Sequence, residues 1–311
     1  MAITSKKNPA DAIFLIVTAA ASFTVIIFIA AILYELIHQS GPAISRFGVW
    51  KFLSSTDWNP VKESFGALTN IYGTILTTFL SLLMAIPVAI GIAVFITEIA
   101  PNFLKTPIGV AIELLAAIPS IIYGMWGLFV FAPFMAKHVQ PFLGKTLGWL
   151  PLFQGPPMGI GMLTAGIILA LMILPFVAAV CRDVFQLVPS VMKESAYGVG
   201  ATVWEVTHKV TIRYGLRGIV GAAFLGLGRA LGETMAVTFV IGNDHSISPS
   251  LFAAGNSIAS ALANEFTEAS DPIYLSALVE LGLVLFVITF LVQIAAQFWL
   301  SRLQRTVGGG P

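Results

Sequence analysis

The chain has 311 residues, of which 57% are apolar and 10% are charged, and its mean hydropathy is +0.92. Charged residues make up about a quarter of an ordinary soluble domain, so this composition excludes a cytosolic enzyme and indicates a membrane protein. The net charge of +1 and the single cysteine, Cys181, exclude a basic nucleic-acid-binding protein, an internal disulfide and a cysteine-ligated metal.

Six apolar runs are long enough to cross a bilayer, because a spanning helix needs about 20 residues. Main-chain polar groups in lipid must be satisfied within their own segment, so an all-α fold is predicted. The runs cover residues 12–34, 71–97, 114–136, 158–181, 218–241 and 273–301. Helix kinks are expected at Pro87, Pro119, Pro133 and Pro175.

The distribution of Lys and Arg predicts that both termini are cytosolic. With this orientation ten basic residues fall in cytosolic segments and five in outer segments, as the positive-inside rule requires. The cytosolic set is Lys6, Lys7, Lys105, Arg182, Lys193, Lys209, Arg213, Arg217, Arg302 and Arg305. The outer set is Arg46, Lys51, Lys62, Lys137 and Lys145.

The chain is predicted to have three parts. Residues 1–66 comprise an anchor helix and an outer segment. The loop of residues 38–66 is expected to lie at the membrane surface through aromatic residues such as Trp50 and Trp58. Residues 67–301 form the core membrane domain, with a cytosolic loop at residues 182–217. Residues 302–311 include three consecutive glycines, and we exclude them from the functional interpretation as a flexible or added tail.

Two motif-like stretches carry no function. Gly144-Lys145-Thr146 resembles the end of a phosphate-binding P-loop, but Val139 occupies the position of the required first glycine, so no cofactor or ATP site is predicted. Gly218, Ala222 and Gly226 recur every fourth residue, which indicates close packing between helices.

Residues 188–212 are the longest polar-rich stretch on the predicted cytosolic side. One short helix is expected to start at Pro189-Ser190 and to end near Gly198 and Gly200. A second is expected after Thr202, which forms a capping box with Glu205. Such an amphipathic elbow either docks on a partner or rests on the bilayer surface, and the pattern alone leaves both open.

This elbow resembles the EAA loop of bacterial ABC-importer permeases. The resemblance rests on Glu194-Ser195-Ala196, Gly200 and Val210-Thr211-Ile212, which have the spacing of that motif. The chain departs from it at Ser195, Val210, Ile212 and Arg213, where the family has alanine, isoleucine, leucine and proline. In that family the loop is a coupling helix that inserts into a cleft of a separate ATPase subunit, as a helix anchored in a groove.

Residues 226–243 resemble, more narrowly, the permeases of phosphate importers. The same likeness extends to Trp58-Asn59-Pro60, Ala117-Ile118-Pro119-Ser120 and Asn256-Ser257-Ile258. The resemblance implies a MetI-like permease fold in the bacterial inner membrane, with inorganic phosphate as substrate. It also implies a second permease subunit, a dimer of ATPase subunits and a periplasmic phosphate-binding protein as partners. ATP hydrolysis would then take place in the partners, and this chain would not be an enzyme.

Arg229 and Glu233 are the candidate substrate-path residues. Arg229 lies in the fifth apolar run, and a charge at membrane depth is a functional hypothesis by default. Its guanidinium can bind an oxyanion through paired hydrogen bonds. The alternative is a structural ion pair with Glu233, four residues later on the same helical face. Glu113 lies at the edge of the third run and Glu280 lies nearer the end of the sixth, and both are left out of the site.

Two other functions stay open at this point. The main alternative is a secondary anion transporter or channel subunit that uses Arg229 and Glu233 as a charge relay. The other is a membrane serine hydrolase, for which Ser257 would be the nucleophile and His245 the nearest base.

Overall fold

The computed structural model describes the main chain of residues 9–307 and the side chains of residues 10–302. This part of the chain forms helices, turns and two isolated β-bridges. Lys6, Lys7 and residues 308–311 of the tail lie outside the described residues, and so does the side chain of Arg305.

Within the described residues six helices are long and apolar enough to cross a membrane, which confirms the all-α architecture with six spans. In chain order, the first to sixth spans are Ala10–Phe47, Leu68–Ile99, Ser120–Leu147, Met162–Gln186, Val203–Leu231 and Pro272–Arg302. The shorter helices between them are Val49–Ser54, Asn102–Ala116, Ser190–Gly198, Met235–Ile241 and Ile258–Glu265.

The second and fourth spans pack against each other at the centre of the bundle. Ala85, Ala89 and Ala93 on the second span are fully buried, and these small side chains allow the two helices to approach closely. Gly166 on the fourth span also permits this approach, because a Cβ atom there would lie 3.0 Å from the Cβ of Leu80.

The fifth span packs on the fourth through the predicted small residues. A Cβ atom at Gly218 would lie 2.4 Å from a methyl group of Val184, and one at Gly226 would lie 2.8 Å from a methyl group of Val177. Ala222, between them, is fully buried. The predicted packing role of this repeat is confirmed.

The first span extends further than its apolar run. Its helix continues to Phe47, so residues 38–47 are helical, whereas we expected an interfacial loop from residue 38 onwards. The extension packs on the sixth span, where the Ser276 hydroxyl accepts from the Ala43 N–H at 3.0 Å and donates to the Gln39 carbonyl at 2.8 Å. These bonds satisfy main-chain groups around Pro42, which sequence periodicity alone does not reveal.

The third span begins later than predicted. The run 114–136 is divided, because residues up to Ala116 complete the helix Asn102–Ala116 and a new helix starts at Ser120. Pro119 lies in the gap, lacks an N–H and disfavours helical geometry at Ile118, so it ends the helix where we predicted only a kink. The new helix continues through two π-helical stretches to Leu147.

The fifth span also differs from its apolar run, 218–241. The helix starts at Val203 and ends at Leu231, and a separate short helix, Met235–Ile241, follows the break. The second half of the predicted elbow is therefore the beginning of a membrane span. Gly232 lies in the break, where the low helix propensity of glycine favours an end.

Candidate translocation and coupling site

Arg229 lies in the last turn of the fifth span and is exposed on the surface of this chain. Its guanidinium carbon is 5.7 Å from the centre of the Phe176 ring on the fourth span, which is a cation–π distance. Tyr123 on the third span lies near Arg229. Within the described residues Arg229 makes no hydrogen bond or ion pair, so its five N–H donors are available for another partner.

Glu233 lies beyond the end of that helix. Its Oε1 accepts from the main-chain N–H of Ala236 at 3.1 Å, so the carboxylate caps the helix Met235–Ile241. The expected arrangement, with Arg229 and Glu233 on one helical face, is wrong, because the helix that would align them ends at Leu231. The structure brings the two residues into one region without an ion pair between them.

Two helix breaks lie next to each other in this region. The first separates Ala116 from Ser120, and the second separates Leu231 from Met235. The third-span helix packs on Met235–Ile241, and a Cβ atom at Gly124 would lie 2.8 Å from the Met235 carbonyl oxygen. Across the first break, the Tyr123 hydroxyl donates to the Leu115 carbonyl at 2.9 Å. Interrupted helices at membrane depth are tolerated where they are buried in protein or line an aqueous path. An exposed guanidinium beside two such breaks is chemically able to bind an anion.

Three of the four predicted coupling residues, Glu194, Ser195 and Ala196, lie on the helix Ser190–Gly198, which we call the coupling helix. Glu194 and Ser195 are exposed, and Ala196 is half-buried. The helix ends before Gly200, whose φ of +86° favours glycine at that position. The predicted capping box is present, with the Thr202 hydroxyl accepting from the Glu205 N–H and the Glu205 carboxylate accepting from the Thr202 N–H.

Large apolar side chains around the coupling helix are exposed. Leu187, Val191, Val199 and Trp204 are 75%, 68%, 86% and 72% exposed, respectively. A cluster of exposed apolar side chains among charged ones is typical of a surface that contacts another protein or the membrane. The structure thus places Glu194, Ser195 and Gly200 in one exposed patch, with the half-buried Ala196 among them, separate in sequence from Arg229.

A hydrogen-bonded cluster ties the loop 242–272 to the segment after the first span. The Glu265 carboxylate accepts from Trp58 Nε1 and from the Tyr274 hydroxyl, both at 2.6 Å, and lies 3.0 Å from His245 Nε2. The His245 ring stacks on Trp58 with 5.4 Å between the ring centres. Burial raises the pKa of Glu265, but the hydrogen bonds from His245, Tyr274 and Trp58 outweigh it and hold that pKa below its usual value.

Ser257 does not have the environment of a nucleophile. Its hydroxyl accepts from the Ser260 N–H at 3.1 Å and caps the helix Ile258–Glu265. His245 Nε2 instead lies 3.0 Å from a carboxylate oxygen of Glu265 and 3.2 Å from Asn256 Nδ2. Among the described residues, no hydrogen bond joins Ser257 to His245.

Sequence reasoning missed two contributors. Glu98 follows the second apolar run directly, and its carboxylate contacts the coupling helix across 95 residues of sequence. Glu265 lies in the loop 242–272, and its carboxylate joins partners as far away as Trp58. A polar residue at the edge of an apolar run indicates that its side chain has a partner, but the sequence does not show which residue the partner is. Of the two carboxylates left out of the site, Glu113 pairs with Arg182 at 3.0 Å, whereas Glu280 is 2% exposed with one oxygen unpartnered.

The fold resembles known ABC-importer permeases. The chain matches a chain of a bacterial alginate ABC transporter, crystallised with a periplasmic protein bound to an alginate pentasaccharide, with a TM-score of 0.64 at 17% identity; 93% of this chain and 96% of that one are covered. It matches a chain of the inward-facing MetNI methionine ABC transporter with a TM-score of 0.54 at 18% identity, covering 77% and 94%. These likenesses confirm the MetI-like permease fold.

Curated relatives cover almost the whole chain, although no family model matches it. It is 54% identical over 302 residues to the phosphate transport system permease protein PstC of Mesorhizobium japonicum, covering 96% of this chain and 92% of the relative. The corresponding protein of Haemophilus influenzae is 52% identical, with 96% and 95% covered. A probable PstC of Methanocaldococcus jannaschii is 40% identical, with 93% of each covered. The chain therefore belongs to the PstC family of phosphate transport permeases.

Proposed function

We propose that this chain is the membrane subunit of an ATP-driven phosphate importer, in which it forms half of the translocation path and couples that path to ATPase subunits. The observation that carries the proposal is the 54% identity to a phosphate transport permease along 96% of the chain. The exposed coupling helix and the exposed guanidinium of Arg229 supply the two sites that such a subunit needs.

Phosphate passes Arg229 on its way through the membrane. A guanidinium stays charged at any working pH and binds a tetrahedral oxyanion through paired N–H donors. A charge at membrane depth costs about 2.5–3.5 kcal/mol on insertion scales, so its retention needs a compensating role. The absence of an ion pair within the described residues leaves the donors of Arg229 free for substrate, while Glu233 caps the adjacent helix and shapes the break.

The path lies between this chain and a second, PstA-like permease. Arg229 is exposed here, and a lipid-facing guanidinium would be unfavourable. A second permease against this face would enclose an aqueous path beside the two helix breaks. Residues 67–301 form the core of this permease unit, and residues 1–66 anchor it.

ATP hydrolysis in a PstB-like dimer drives the cycle. The coupling helix, with Glu194, Ser195, Ala196 and Gly200, docks in a cleft of the ATPase, and exposed apolar side chains such as Val199 and Trp204 supply its contact area. Docking on an ATPase is favoured over rest on the bilayer by the resemblance to the EAA loop.

The remaining assignments follow from the same orientation. Both termini are cytosolic, and the chain lies in the bacterial inner membrane among its lipids. A periplasmic, PstS-like phosphate-binding protein docks on the opposite side, including residues 242–272, which contain no Lys or Arg. That protein supplies most of the selectivity, because one guanidinium does not distinguish phosphate from another tetrahedral oxyanion.

Reconstitution in liposomes tests this function. The chain is purified in mild detergent with its co-expressed partner subunits, and uptake of radiolabelled phosphate is measured with and without ATP. Copurification of an ATPase and uptake that requires ATP are expected. Phosphate movement by the chain alone, driven by an ion gradient, would instead establish the secondary transporter. The serine hydrolase alternative would require that the purified chain hydrolyses a substrate and that Ser257→Ala loses this activity.

A further inference from the structure

Glu98 is a buried carboxylate at the end of the second span. It lies in the π-helical segment Phe95–Ile99, and its side chain is only 5% exposed. Its Oε1 atom accepts from Lys193 Nζ at 2.7 Å and from the Thr211 hydroxyl at 3.3 Å. A desolvated carboxylate interacts strongly with the cation beside it, because the surrounding dielectric is lower than that of water.

The two partners of Glu98 lie on opposite sides of the elbow. Lys193 is on the coupling helix, directly before Glu194. Thr211 is fully buried in the fifth span, the helix that continues to Arg229. One carboxylate oxygen therefore joins the coupling helix, the second span and the fifth span.

The elbow itself is only partly held by packing. Gly198 and Gly200 have no atom within 4 Å of the position where a Cβ would be, so side-chain packing does not fix the joint. The turn is closed by main-chain bonds from Gly200 to Tyr197 at 2.9 Å and from Ala201 to Ala196 at 3.1 Å. A displacement of the coupling helix could be absorbed at such a joint, unless a contact spans it.

Glu98 supplies that contact. Of the side-chain hydrogen bonds made by the described residues of the coupling helix, the one from Lys193 to Glu98 connects to a membrane span, and the other, from Ser195 to Val191, is internal. The exposed pair between Lys209 and Glu205, with side chains 68% and 41% exposed, is by contrast local to its own helix. Exposed pairs of this kind contribute little.

We propose that Glu98 is a positioning residue that transmits the movement of the coupling helix to the second and fifth spans. The inference rests on the proposed ATPase coupling of this chain. Glu98 acts through Lys193 and Thr211 and contacts neither ATP nor phosphate. If it is lost, the ATPase can still dock and hydrolyse ATP, but the displacement is taken up at the glycine joint and not passed to the helix that carries Arg229.

The experiment compares transport with hydrolysis in the reconstituted complex. Glu98→Gln keeps the shape of the side chain and removes its charge. We expect the number of phosphate ions imported per ATP hydrolysed to fall about tenfold, as for loss of a charge-assisted link between moving parts. Thr211→Val, which removes only the hydroxyl, should reduce the same ratio by a smaller factor. Glu63→Gln removes the carboxylate of an exposed pair with Arg46 and should leave the ratio unchanged.

Exchanging the two charges distinguishes a loss of coupling from a failure of the complex to assemble. If Glu98→Gln prevents assembly, the double variant Glu98→Lys with Lys193→Glu restores an ion pair, and a lysine at position 98 can still donate to the Thr211 hydroxyl. The double variant should assemble, and its number of phosphate ions imported per ATP hydrolysed should be within about twofold of wild type. Lys193→Glu alone should keep a low ratio.

The outcomes separate this inference from the proposed function. Wild-type uptake that needs no ATP contradicts the proposed function itself. If wild-type uptake is driven by ATP and Glu98→Gln assembles with an unchanged ratio, the role of Glu98 is wrong and the function stands. A charge-exchanged complex that assembles but stays as uncoupled as Lys193→Glu also overturns it, because the link would then be restored without its effect.

Discussion

The guanidinium of Arg229 lies 5.7 Å from the ring centre of Phe176, one helix away, and the helix that carries Arg229 ends two residues later. The aromatic face orients the cation without occupying its hydrogen-bond donors. Arg229 is thus held in place while its N–H groups stay available to an anion.

Replacing Phe176 tests this arrangement. In Phe176→Leu the apolar volume is largely kept and the π face is lost. The cation–π interaction that orients the guanidinium is worth about 0.5–2 kcal/mol, and the variant loses it. We expect phosphate uptake to fall about two- to thirtyfold, with normal assembly of the complex. Phe129→Leu, at a side chain 72% exposed on the third span, is the control and should be neutral. Wild-type uptake by Phe176→Leu would show that the ring does not position the cation.

Two glycine-to-alanine substitutions in the fifth span form a matched pair that tests how packing affects stability. In Gly218→Ala the new Cβ would meet Val184 at 2.4 Å, so overpacking should destabilise the subunit by about 1–3 kcal/mol. At Gly221, on the same helix, no atom lies within 4 Å of that position. Gly221→Ala should be neutral or stabilising by up to about 1 kcal/mol, the difference in helix propensity. Thermal unfolding in detergent measures both variants, and equal melting temperatures would contradict the packing account.

Binding of the ATPase subunits should depend on the exposed aromatic side chain next to the coupling helix. Trp204 is 72% exposed, and loss of a buried aromatic anchor at an interface often costs about 2 kcal/mol or more. Trp204→Ala is expected to weaken binding of the ATPase subunits about thirtyfold, measured by titration of the purified subunits against the permease pair. Trp50→Ala, at a side chain 84% exposed in the short helix Val49–Ser54, is the control. If both variants bind the ATPase equally, Trp204 is not part of the interface.

The Glu265 cluster should make stability depend on pH. The folded-state pKa of Glu265 lies below its ordinary value of 4.5, so its stabilisation is fully present above 4.5 and is lost as pH falls through the folded pKa. Glu265→Gln removes this contribution. The difference in melting temperature between wild type and Glu265→Gln should therefore be full above pH 4.5 and should shrink as the pH falls through the lower folded-state pKa. A difference that stays constant with pH would mean that the charge of Glu265 does not stabilise the loop.

Local features of this chain could be predicted because their causes are local. The coupling helix, its glycine end and the capping box of Thr202 and Glu205 depend on residues within a few positions of one another. The number of spans and the Gly218 packing face were also readable, since apolar length and small-residue spacing determine them.

The remaining features depend on contacts between distant segments. Apolar residues continue past Leu231, so the run 218–241 did not reveal the break that separates Arg229 from Glu233. The link from Glu98 to Thr211 joins residues 113 positions apart. The extension of the first helix to Phe47 is fixed by Ser276, far along the chain. Hydrophobic periodicity contains no information on such partners.

The central claim is that the guanidinium of Arg229 lies on the path of phosphate, and Arg229→Gln tests it most directly. ATP-driven uptake of radiolabelled phosphate is measured for the reconstituted wild-type and variant complexes, with assembly verified by copurification of all subunits. We predict that Arg229→Gln assembles but loses uptake, and that Arg229→Lys, which keeps the charge without the paired donors, retains a part of it. Wild-type uptake by an assembled Arg229→Gln complex would contradict the claim.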